Sequence, residues 1–164
     1  MRPLRSWVFA VAAPSFVVCI SARPAAGTPA AQDDPAIRSA VQLAAEGRSD
    51  SARRLVEGAL TRAQPGDSSY VEALFWRARL ATYGDSAERD LRRVTLEFST
   101  SRWADDALLQ LAQLAMTAGN PASARALAER IRTDYPDSDL RASSACWAGR
   151  AALEMADLPG GCAE

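Results

Sequence analysis

The apolar positions of this chain fall three and four residues apart over most of its length, the spacing of one helical face. The clearest stretch is 105–138, with Leu108, Leu111, Ala112, Ala115 and Met116 on a first helix and Ala124, Leu127, Ala128 and Ile131 on a second. Between them lies Gly119-Asn120-Pro121. Glycine suits a helix C-terminus because it takes positive φ without a Cβ clash, and proline suits the first turn of the next helix, where its missing N–H costs nothing. Pro136 ends the second helix. The pattern predicts an antiparallel helical hairpin.

The hairpin recurs. Residues 35–66 predict helices at about 35–46 and 49–63 around Gly47-Arg48, the second capped by Ser49 or Asp50 and ended by Pro65-Gly66. Residues 68–101 predict helices at about 68–82 and 85–98 around Tyr83-Gly84. Val71, Leu74, Phe75 and Ala78 face inward from the first, and Ala87, Leu91, Val94 and Phe98 from the second. Residues 139–156 predict one more helix, a turn near Asp157 and the beginning of a partner. Ala52, Ala87, Ala124 and Gly161, early in each second helix, lie 35, 37 and 37 residues apart. Ala40, Ala112 and Gly149 are the small residues expected where paired helices cross closely. Phe75 stands at that place in the second unit.

These residues resemble the tetratricopeptide repeat (TPR). With Asp105 as the first residue of a unit, Ala112, Ala115, Ala124, Ala128, Ile131 and Pro136 fall where that repeat carries its small, apolar and proline residues; Ile131 stands where the pattern has alanine. The long period, with Tyr-Pro-Asp-Ser at 135–138 and Ser-Arg-Trp-Ala-Asp-Asp-Ala-Leu at 101–108, is similar to bacterial envelope TPR domains of the Tol–Pal coordinator and outer-membrane assembly lipoprotein type. The resemblance implies an all-α, TPR-like α-solenoid of about three and a half antiparallel hairpins over 35–164, in units of about 35–66, 68–101, 105–138 and an incomplete 142–164. It also implies a concave groove lined by the first helix of each unit: Glu72, Trp76 and Arg79, then Leu109, Gln113 and Met116, then Arg150. Such a surface suits an extended or helical peptide.

The N-terminus adds a compartment. Arg2 and Arg5 precede an uncharged apolar run at 7–20 and a small, Pro-rich segment, the order of a secretory signal peptide over about 1–27, followed by a linker at 28–34. Cleavage is expected after Ala22 or Gly27. Fourteen apolar residues fall short of the roughly 20 needed to span a bilayer, so no direct membrane span is expected once the leader is removed. An uncleaved anchor is the alternative. Lipid attachment at Cys19 is disfavoured because Val18, not a small residue, precedes it.

Charge and composition narrow the function. The net charge is −1, and cleavage after Gly27 would remove Arg2, Arg5 and Arg23, leaving 16 arginines against 20 acids. That balance points away from nucleic acid. Histidine is absent, and no phosphate loop or metal-spaced Cys/His set occurs, so no cofactor, metal or catalytic residue is expected. Asp33-Asp34 and Asp105-Asp106 read as helix N-terminal charge, and the oxygens of 134–139 as a capped turn. Trp76, Trp103 and Trp147 read as packing residues before ligand platforms. Cys146 and Cys162 read as small apolar residues, because in a helical hairpin they would lie too far apart to bridge.

The expected function is a non-catalytic protein-binding scaffold of the envelope, with an envelope protein or peptide as partner and self-association possible through the incomplete last unit. Alternatives are the TPR portion of a larger envelope protein, for example with a peptidoglycan-binding C-terminal module, and, less favoured, an accessory enzyme.

Overall fold

The computed structural model describes residues 34–156. The leader with Cys19, nearly all of the linker, and Asp157, Gly161 and Cys162 of the last unit lie outside the described residues. Seven helices follow in order: α1 (Pro35–Ala45), α2 (Ser49–Arg62), α3 (Ser68–Arg79), α4 (Gly84–Glu97), α5 (Ala104–Thr117), α6 (Pro121–Asp134) and α7 (Arg141–Glu154). The described residues contain no strand. Each helix packs on the next, α1 also touches α3, and α5 touches α7. The result is an all-α stack of helical hairpins.

Local chemistry sets the turns. Asp34 caps α1, its carboxylate accepting the Ala36 N–H at 2.7 Å, with Pro35 at the first helical position. α1 and α5 end alike. Gly47 and Gly119 take φ of +78° and +71°. Arg48 N donates to Leu43 O at 2.8 Å and Asn120 N to Ala115 O at 2.9 Å, so two otherwise orphaned carbonyls are bonded and the chain reverses at once. Asn120 then caps α6, accepting from Ser123 N at 3.1 Å.

Three local expectations are corrected. Neither Ser49 nor Asp50 caps α2: the tight reversal puts Arg48 at the cap position without a side-chain bond, Ser49 becomes the first helical residue, and Asp50 pairs with Arg53 in the first turn. α3 stops at Arg79, short of residue 82. Arg53 of α2 reaches across and donates from Nη1 to the Leu80 carbonyl at 3.1 Å, satisfying an acceptor the helix leaves open. Cys146 is not an unmodified apolar filler. It is disulfide-bonded and half-buried, while the chain's other cysteines lie outside the described residues.

The core follows the predicted faces with one exception. Leu91 and Val94 of α4, Leu108, Leu111 and Ala112 of α5, and Ala124, Ala128 and Ile131 of α6 are buried as their spacing requires. The exception is α3, where Tyr70, Val71, Glu72, Ala73, Leu74, Phe75 and Ala78 are all buried. Six consecutive buried residues mean that α3 is wrapped from several sides. At the crossings, Ala40, Ala112 and Gly149 are buried as expected. Phe75, in their place on α3, lies stacked on Trp103 with centroids 4.8 Å apart, and α3 and α4 pack less closely than α1 and α2 or α5 and α6.

Candidate functional site

An aromatic wedge forms beside α3. Phe75 and Trp76 leave α3 at adjacent positions, and Trp103 enters from the turn before α5. The Trp76 and Trp103 rings meet edge to face at 6.3 Å. The Arg79 guanidinium lies 5.1 Å from the Trp76 ring centre and 5.9 Å from that of Phe75, a cation–π arrangement. Arg102 lies 5.1 Å from the Trp103 ring centre. The indole N–H groups of Trp76 and Trp103 are buried and donate no hydrogen bond among the described residues. Trp147 packs against the small residues of α5, α6 and α7.

Glu72 lies within the same region and is fully buried. Arg102 Nη2 approaches its carboxylate at 3.7 Å. A buried carboxylate is costly unless a cation accompanies it, so this pair ties α3 to the loop preceding α5. Glu72 therefore cannot serve as a groove residue.

Beyond the wedge, a cavity of about 290 Å³ opens between the end of α3, the start of α4 and α5. Arg79 and Gln113 line it together, joined by Gln110, Thr117 and Tyr83. The other groove candidates fall elsewhere. Met116 is buried in the α5–α6 core. Leu109 is half-buried outside the cavity lining. Arg150 is exposed on α7, 5.3 Å from the Trp147 ring centre and 3.6 Å from Glu154. Of seven residues the structure brings two into one concavity, and one of them, Arg79, rests against Trp76. Gln110, Gln113 and Thr117 recur at the helical spacing opposite the apolar stripe of α5, a signal legible in the sequence. Tyr83 carried none, although it is 76% exposed.

Ion pairs and hydroxyls brace the surroundings. Asp90 of α4 accepts two bonds from Arg77 of α3, at 2.7 and 2.8 Å. The bond to Asp90 outweighs burial and raises the Arg77 pKa, keeping the guanidinium charged. Tyr135 donates to the Ser99 carbonyl at 2.7 Å, from the end of one hairpin to the end of the preceding one. Burial, then the Asp134 charge, raises the Tyr135 pKa. Ser138 donates to Asp105 at 2.6 Å. Asp105 and Asp106 stand in the first turn of α5, and Asp105 also fixes the turn before α7.

The described residues hold no group of three or more His, Cys, Asp or Glu able to bind a metal ion, and no helix among them is long and apolar enough to cross a membrane. No protein-family model matches the chain, and no curated protein matches it. The coordinates define the class as an all-α stack of helical hairpins.

Proposed function

We propose that this protein is an exported, non-catalytic scaffold of the TPR type that binds a protein or peptide segment in the bacterial cell envelope. The observation carrying this reading is the concavity in which Arg79 of α3 and Gln113 of α5 converge. Its chemistry suits a polypeptide. Gln110 and Gln113 offer amide donors and acceptors for a peptide backbone. Arg79, spread over the Trp76 and Phe75 rings, gives an anchor that loses little freedom on binding. The positively charged start, apolar run and small-residue segment of 1–27 support export, and a disulfide-bonded Cys146 fits an oxidising compartment.

The test is a crosslinking pull-down from intact envelopes, comparing wild type with Arg79→Ala plus Gln113→Ala. Both residues reach the surface of the fold, so the variant should keep its helicity, with a small fall in melting temperature from the lost Arg79 ring contacts, while partner recovery falls severalfold. Unchanged recovery would place binding elsewhere. Export is tested separately by N-terminal sequencing after fractionation. An intact leader on cytoplasmic protein would overturn that part of the reading.

A further inference from the structure

A second cavity, of about 390 Å³, lies beyond Tyr83, which lines both. It opens between α2, the α3–α4 turn and α4. Its walls are the second helices of two successive hairpins, so it is separate from the groove of first helices. Arg53, Val56 and Glu57 on α2 share one helical face, and Ser86, Arg89 and Asp90 on α4 repeat that spacing. The cations differ in their commitments. Arg77 is held by its double bond to Asp90. Arg53 is held by Asp50 and the Leu80 carbonyl. Arg89 is exposed and has no hydrogen bond or ion pair among the described residues. Arg77 also lies 3.7 Å from Glu57, so the Asp90, Glu57 and Asp50 carboxylates are all engaged by Arg77 and Arg53, and Arg89 is the lining cation left without an ion pair among the described residues.

We propose that this cavity binds a small organic anion: one carboxylate or phosphate group on an apolar or aromatic body. Arg89 takes the anion with two N–H groups of its planar fork. Arg53 stands across from it, its position already fixed by its other bonds, which lowers the ordering cost of binding. The body packs against Ala81 and the exposed ring of Tyr83. The volume falls in the range of pockets that hold single small molecules. This site does not depend on the peptide groove.

The test uses the purified mature protein with phenyl phosphate and benzoate as anionic probes, benzyl alcohol as the neutral probe and inorganic phosphate as the anion without a body. Calorimetry should give saturable binding of at least one aromatic anion at millimolar concentration or below, with benzyl alcohol inert and inorganic phosphate weaker. The better aromatic probe tells phosphate from carboxylate. Arg89→Gln, which breaks no described contact, should lower affinity about tenfold, or about 1.4 kcal/mol, with an unchanged circular dichroism spectrum. Arg38→Gln on α1 should leave affinity unaltered. The proposal fails if neither aromatic anion saturates up to about 20 mM, if Arg89→Gln binds like wild type, or if inorganic phosphate or benzyl alcohol binds as tightly as the aromatic anions.

Discussion

The α3–α4 and α5–α6 hairpins follow one repeat register and close by different means. In α5–α6 the crossing is made of small residues. Ala112 and Ala128 are fully buried, with Ala148 of α7 packed on them, so backbones approach closely and dispersion contacts accumulate along their length. In α3–α4 the equivalent of Ala112 is Phe75. The two helices contact each other less extensively, the ring stacks on Trp103, and two charge-assisted bonds from Arg77 to Asp90 span the pair. A single substitution at one repeat position thus exchanges close backbone packing for a wedge of large side chains. Both cavities open along the wider hairpin.

The largest test of this contrast is Phe75→Ala. The ring is 1% exposed, and its loss should cost about 3–5 kcal/mol, read as a drop in the urea midpoint. Repair of the crossing by collapse of α3 onto α4 would instead show as a loss of well below about 1 kcal/mol, and Phe75 would then not be what separates the two hairpins. The converse change, Ala112→Leu, inserts volume where three alanines meet and should cost about 1–3 kcal/mol by overpacking. A neutral result would mean that α5 and α6 have room that their burial denies.

Asp90→Asn tests the ionic span of the wider hairpin. Arg77 is partly solvated, so screening reduces the effect to about 1 kcal/mol, measured by chemical denaturation at low and high salt, with the smaller difference at high salt. Tyr135→Phe tests the tie between the two hairpins. Loss of the bond to Ser99 should cost about 0.5–1 kcal/mol at neutral pH. The raised Tyr135 pKa favours the neutral phenol in the folded state. Its contribution is complete below the unfolded tyrosine value of about 10 and is lost as pH rises through the folded value. Wild type should therefore lose stability above about pH 10 more steeply than Tyr135→Phe, and parallel curves would remove the tie.

Much of the site was legible in part. Arg79 and Gln113 were reached through the repeat register, and they do meet in one concavity. Gln110 and Thr117 followed the same polar face of α5 and needed only that face to be read as a surface. Glu72 and Met116 satisfied the register and are buried, because the register assigns an angle around a helix and says nothing of how many neighbours cover that angle. α3 is covered by α1, α2, α4 and the turn before α5, so even its polar position lies inside.

Local sequence specified the helices, their order and the Gly47 and Gly119 reversals, though not where α3 stops or what caps α2, since apolar spacing, Gly47, Gly119, Pro35 and Pro121 act within a few residues of chain. It also determined which faces of α4, α5 and α6 turn inward. It took the tertiary packing to enclose most of α3, to bring Arg53 from α2 to the Leu80 carbonyl, to lay Glu72 beneath Arg102 and to set Tyr83 between two cavities. Each of these depends on groups far apart in the chain arriving at one point, which no local spacing encodes.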